Sequence, residues 1–254
     1  MSQIALLGSP VAPLPESVDL RCCGVAELLA DWMDDQPDLV ITDPPWPQYQ
    51  NRPGVAAPDG RYAVMSEGAI ADYNDRAAAL LVEGGRFGMW TCWPLLVEAV
   101  RGPARPPWLD VDGVRWVTGG AWTKTDHMGV GYHWLGRSEP ILVGVKRGAA
   151  AGRMACPIGN GWASKPGPHS AKPAGFLADM IRAWVPPYGL VLDLFAGTGA
   201  TAVATVMAGE GRRYVGAELD PERHALACGA VNRAWQDALD AVRARAIAGG
   251  VSHG

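Results

Sequence analysis

No apolar run in the sequence approaches 18 residues, so none is long enough to cross a bilayer as a helix. The first fifteen residues lack a basic cluster and are broken by Pro10, Pro13 and Pro15; they read as a loose arm, not a secretory leader, and a cytoplasmic location is expected. Cysteine is sparse and unpatterned. Five residues, at 22, 23, 92, 156 and 228, include no Cys-x-x-Cys, which favours reduced structural thiols over a disulfide framework. His127, His133 and Glu139 have no tight ligand spacing, so no metal is expected. There is also no surplus of positive charge, the formal net being −4. What is present, 254 residues with 48% hydrophobic and 19% charged, suits one α/β domain over 1–254 and leaves no length for a separate recognition domain.

The most informative stretch is Asp43-Pro44-Pro45-Trp46, directly after the apolar run Leu39-Val40-Ile41-Thr42. That places it where a buried strand ends and opens onto a crevice. The prolines fix φ and restrict the residue before each of them, holding the Asp43 carboxylate and the Pro44 carbonyl in one orientation. Two acceptors side by side suit an exocyclic amino group on a flat ring, with Trp46 as a stacking platform. An ordinary strand-end turn with an Asp cap is the competing reading.

A second motif lies far downstream. Leu190-Val191-Leu192-Asp193 reads as a strand, and Leu194 to Gly199 as a glycine turn before a helix. No Lys-Ser/Thr follows the glycines, and the third glycine of the dinucleotide fingerprint is absent, so neither phosphate-binding pattern is met. The next strand, Tyr214 to Ala217, ends at Glu218, which is placed to accept from a ribose diol. Asp220-Pro221 reads instead as a helix cap followed by proline at the first helical position.

Together, Asp-Pro-Pro-Trp and Asp-Leu-Phe-Ala-Gly-Thr-Gly resemble the S-adenosylmethionine-dependent amino-methyltransferases, in the order of the permuted β class. Tyr62 to Ser66, Trp122-Thr123-Lys124, Gly131 to Trp134, and Glu139 to Lys146 resemble the branch shared with the mRNA adenosine methyltransferase catalytic subunits. His169 to Pro173 resembles the segment before the cofactor strand in both groups. The resemblance spans about residues 38–222. It implies a Rossmann-like methyltransferase fold, a mostly parallel doubly wound sheet with permuted motif order. It also implies methyl transfer from S-adenosylmethionine to the N6 amine of a flipped-out DNA adenine. N4-cytosine in DNA and N6-adenosine in RNA are the alternatives, and a nucleic-acid-binding pseudoenzyme subunit is the non-enzyme one. On this resemblance Asp43, Pro44, Pro45 and Trp46 are catalytic. Asp193, Phe195, Gly197, Thr198, Gly199 and Glu218 hold the cofactor, with Lys172 reaching its methionine carboxylate. Cys22-Cys23-Gly24 stands where the β class carries a Gly-Asp contact to the cofactor adenine. A homodimer is left open.

Nucleic acid as partner suits the charge distribution better than the total does. Residues 121–172 carry seven basic and two acidic side chains, a surplus of five. Lys124, Arg137, Lys146, Arg147, Arg153 and Lys165 lie in glycine- and proline-rich sequence suited to loops along a phosphate backbone, the alternative being plain solvated surface. Residues 47–66, with Arg52 and Arg61, read as a lid over the flipped base, and 147–168 as a second recognition segment with no regular element. Helices are expected from Ala69 to Leu81, Trp93 to Val100, Ala174 to Trp184 and beyond Pro221. Strands are expected at 86–91, 114–124 and 139–146, and a short strand and helix between Asp19 and Asp35 with Leu28, Leu29 and Trp32 inward. Trp116, Trp122 and Trp134 are assigned to the core.

Overall fold

The computed structural model describes residues 13–32, 35–46, 65–125, 138–148, 159–165 and 171–250. Eight strands form one sheet in the order β1-β8-β7-β2-β3-β5-β4-β6. They are β1 Val18–Arg21, β2 Leu39–Thr42, β3 Arg86–Trp90, β4 Val114–Lys124, β5 Ser138–Lys146, β6 Gly161–Ser164, β7 Leu190–Asp193 and β8 Arg213–Ala217. The first five in spatial order run parallel, and β5 is antiparallel to both β3 and β4. The mostly parallel, doubly wound α/β sheet expected from the sequence is therefore present.

Helices cover both faces, which is why the central strands are apolar on both sides. Leu39, Ile41 and Val191 face a core shared with α4 Ala174–Trp184, α5 Ala200–Ala208 and the start of α6 Pro221–Gly250. Val40, Leu190 and Leu192 face the other core, with α1 Val25–Ala30, α2 Glu67–Leu80 and α3 Trp93–Arg101. Alternation at period two thus assigns neighbours in one strand to opposite layers. Register is fixed at the amino ends of the strands by Asp38. Its backbone N–H donates to the Leu190 carbonyl, its carboxylate accepts from the Leu190 N–H at 2.9 Å, and its carbonyl accepts from Arg86 N–H.

Local signals set the helix starts. The Ser66 hydroxyl accepts from the Ala69 N–H at 3.2 Å, and Asp220 Oδ1 accepts from Glu222 and Arg223 N–H, as a cap should. Only the first part of α6 packs inward, through Ala227, Cys228 and Val231, whereas Val242 and Ile247 are exposed.

Two expectations need correction. The glycine- and proline-rich span 147–168 contains a strand: β6 pairs parallel with β4, Trp162 stacks on Phe176 at 5.7 Å, and Trp122 Nε1 donates to Ser164 Oγ. Tertiary pairing and ring packing outweigh the local breakers there. Trp46 is not an open platform. It is 2% exposed and packs edge-on against Trp108, with ring centroids 5.2 Å apart. The lid residues 47–64, with Arg52 and Arg61, lie outside the described residues, as do Trp134, Arg137 and Arg153.

A buried guanidinium holds the carboxyl ends of α4 and α5. Arg212, 5% exposed, donates to the carbonyls of Val185, Ala208 and Gly209 and pairs with Glu210. Replacing it leaves the buried carbonyls of Val185 and Ala208 without this donor. Arg212→Met is expected to lower unfolding free energy by about 3 kcal/mol, read from the midpoint of urea denaturation at unchanged slope.

Candidate active site

The carboxyl ends of parallel strands face one edge of the sheet, and the side chains singled out from the sequence divide between that edge and its opposite. Asp43 leaves β2 next to Asp193 at the end of β7, because Ile41 pairs with Asp193 and Leu194 N–H donates to the Ile41 carbonyl. Glu218 follows β8 on the same edge. Two motifs 150 residues apart in sequence thus meet at one edge of the sheet.

The glycine turn shows two different reasons for glycine. Gly197 has φ +56°, and a Cβ there would meet nothing within 4 Å, so the turn is open to an approaching group. Gly199, at φ +85°, would bring a Cβ within 2.9 Å of Ala227 Cβ; it lets α5 start against α6 and is a packing glycine. Thr198 lies between them, half-buried. Glu218 is 9% exposed; its Oε2 accepts from Gly197 N–H at 2.8 Å and its Oε1 from Asp220 N–H at 2.9 Å. Phe195, half-buried above the second core, donates its N–H to Asp193 Oδ1.

Asp193 is 2% exposed. Burial pushes its pKa up to about 6, with the charge of Asp43 adding to the rise and hydrogen bonds from Thr201, the Phe195 N–H and the Tyr214 hydroxyl opposing it. Burial, then the same carboxylate, push the Tyr214 phenol well above its usual range.

The turn around Asp43 is tied to the body of the protein. Pro44 is buried, the Pro45 carbonyl accepts from Met65 N–H at 3.1 Å, and among the described residues the Pro44 carbonyl accepts no hydrogen bond. Asp43 Oδ2 is held by Lys172 Nζ at 2.6 Å, and its Oδ1 has no partner among the described residues. Among the described residues two acceptors therefore remain at the end of β2, one carboxylate oxygen and one carbonyl. The Thr42 hydroxyl, the Trp46 and Trp90 indole N–H groups and the Thr91 hydroxyl are buried at or just beyond the ends of the paired strands β2 and β3, without partners among the described residues, polar groups of a kind that a ligand or water commonly satisfies. Sequence reasoning missed Thr42, Trp90 and Thr91, whose only signal was their position at the ends of two central strands.

Lys172 is engaged within the protein. Its ammonium bridges Asp43 and Glu139, at 3.0 Å from the latter, over the Trp90 ring. Burial works against that charge, but Asp43 and Glu139 outweigh it and raise the lysine pKa. The basic residues expected along a phosphate backbone do not share one surface. Lys124 is half-buried against Glu139 and the Trp122 ring. Lys146 donates to the carbonyls of Ala79 and Leu81, and with Arg147 it lies at the opposite end of the sheet, because β5 runs antiparallel. Lys165, exposed beyond β6, is on the Asp43 edge.

Residues 122–228 match the model of a family described as DNA methylase (N6_N4_Mtase). That segment contains Lys172, Asp193, the glycine turn and Glu218, and excludes Asp43. A stretch of 72 residues is 40% identical to the putative methylase YubD of Escherichia coli (strain K12), covering 28% of this chain and 27% of that protein, so the match spans about a quarter of the curated relative. Among solved structures, the chain is similar to the M1.HpyAVI–SAM complex, with TM-score 0.63 and 19% identity over 84% of this chain and 99% of that one. TTHA0409 from Thermus thermophilus, a putative DNA modification methylase complexed with S-adenosyl-L-methionine, aligns with TM-score 0.60 and 22% identity over 85% and 93%. PvuII DNA methyltransferase (cytosine-N4-specific) aligns with TM-score 0.62 and 14% identity over 89% and 94%. At these identities the likeness is one of fold: the chain has the Rossmann-like fold of DNA methyltransferases.

The buried Asp193 carboxyl predicts a pH-dependent cost. Its folded pKa lies above the unfolded value of about 3.9, so below that value both states are protonated and there is no penalty. As pH rises toward the folded value of about 6 the penalty grows, and above it the penalty is complete. Asp193→Asn is therefore expected to raise the stability of the ligand-free chain at pH 8, by at most about 3 kcal/mol, with the gain vanishing near pH 4. Thermal melts at the two pH values check this.

Proposed function

We propose that the chain is an S-adenosylmethionine-dependent DNA amino-methyltransferase acting on the N6 amine of adenine. The observation that carries this reading is the pair of acceptors at the end of β2, Asp43 Oδ1 and the Pro44 carbonyl, set beside the glycine turn of β7. An exocyclic amine has two hydrogens to give them, and accepting both draws its nitrogen lone pair out of the ring system.

The open approach at Gly197 and the acidic end of β8 fit the cofactor. Glu218 would accept from its ribose hydroxyls, the turn Gly197-Thr198-Gly199 and Phe195 would hold it against the sheet, and Asp193 would lie near its charged methionine end. When bound, S-adenosylmethionine supplies a sulfonium methyl that the amine takes with loss of the neutral thioether. The chain's own part is alignment and proton handling. Oδ1 of Asp43 orients the amine and receives the proton it gives up as the new nitrogen–carbon bond forms. Rigid prolines keep that oxygen and the Pro44 carbonyl in place without reorganisation. Trp46 contributes by anchoring the turn in the core through Trp108, not by stacking on the base. A base stacked inside a duplex cannot reach acceptors set at a strand end, so the target adenine is flipped out or single-stranded.

Adenine is preferred because Asp stands at the first motif position; a cytosine N4 amine would offer the same two hydrogens. Labelled methyl transfer to duplex DNA, single-stranded DNA and RNA, followed by nucleoside mass analysis, is expected to yield N6-methyladenine in DNA. N4-methylcytosine would overturn the base, product in RNA alone the polymer, and no product in any pool the enzyme reading. Asp43→Ala is expected to lower kcat by about 10²-fold or more while cofactor affinity, read by calorimetry, stays within about threefold.

A further inference from the structure

Only four lysines occur in the chain, at 124, 146, 165 and 172, and two of them share one carboxylate. That carboxylate belongs to Glu139, whose side chain is 24% exposed; Oε1 takes Lys124 and Oε2 takes Lys172. The backbone around it is fixed. Glu139 pairs with Trp122 across β4 and β5, the neighbouring Pro140 carbonyl accepts from Thr91 N–H, and Ser138 Oγ accepts from Trp93 Nε1 at 2.9 Å. Its position therefore follows from the sheet and not from a flexible loop.

We propose that Glu139 is a positioning residue of the transfer site: by holding one side of the Lys172 ammonium, it confines that ammonium to Oδ2 of Asp43 and leaves Oδ1 to the target amine. This rests on the function proposed above. Lys172 is fixed from three directions, by Asp43 Oδ2 at 2.6 Å, Glu139 Oε2 at 3.0 Å and the Trp90 ring centroid at 5.2 Å. Without Glu139 the ammonium is free to straddle both oxygens of Asp43, and one of the two acceptors is lost. Lys124 holds the far oxygen of Glu139, so the carboxylate cannot rotate away. The charged groups bearing on Asp43 are then Lys172, Glu139, Lys124 beyond it, and Asp193 from β7.

The test compares wild type, Glu139→Gln and Glu139→Asp, with rates expressed per folded molecule. In Glu139→Gln, kcat is expected to fall about tenfold with the cofactor KM within about twofold. Glu139→Asp, which restores the charge, brings back most of the rate. A purely structural residue would change the folded fraction and leave the rate per folded molecule unmoved. Lysine 13Cε NMR supplies a readout independent of turnover: Lys172 titrates above an ordinary lysine in wild type and moves down in Glu139→Gln. An unchanged kcat in Glu139→Gln overturns the proposal, and so does an ordinary titration of Lys172 in wild type, which can be read even if the Gln protein does not fold. A wild type that transfers no methyl overturns the functional reading itself, and the role of Glu139 with it, whatever the NMR shows.

Discussion

Parallel pairing of β2 with β7 is the constraint on which the site depends. It brings the carboxylates of Asp43 and Asp193 to adjacent strand ends, and like charges so placed are costly where water is scarce. The surrounding residues answer the two carboxylates differently. Asp193 is taken inside, receives hydrogen bonds from Phe195 N–H and the Tyr214 hydroxyl, and has its affinity for a proton raised. Asp43 stays at the mouth of the crevice and is matched by an ammonium. One pairing thus yields two acids of different character, one buried with its affinity for a proton raised and one half-buried and paired with an ammonium.

Charge compensation then spreads outward. Lys172 needs a second carboxylate to remain where it is, Glu139 supplies it, and Lys124 completes the set. These four side chains come from β2, the lead-in to α4, β5 and β4, so the network ties the parallel half of the sheet to its antiparallel half. Buried ion pairs add little net stability once desolvation is counted, and their value here lies in fixing geometry.

Much of this was legible in the sequence where the signal is local. The apolar runs ending in Asp43, Asp193 and Glu218 announced strands opening onto a crevice, and Asp220-Pro221 announced a cap. What was not legible depended on direction and partner. A stretch rich in lysine and arginine reads as one basic surface, but β5 reverses the chain, sending Lys146 and Arg147 to one end of the sheet and leaving Lys124 at the other. Composition carries no record of that reversal. Trp46 sat in a motif that suggested exposure, and only the position of Trp108, more than sixty residues on, shows that it is core. Strand β6 was hidden for a similar reason, since the groups that stabilise it belong to β4 and α4.

The strand order also dictates when the sheet can close. Among the described strands β1 and β2 come first in chain order, yet they never touch: β8 and β7, which come last in that order, lie between them. The centre of the sheet is filled only once these late strands are made, across separations such as the 152 residues from Asp38 to Leu190. Until then the nascent chain carries the apolar Leu39–Thr42 with one edge open, the condition in which strands recruit wrong partners. The carboxylates at the ends of β2 and β7 come together only when β7 enters the sheet.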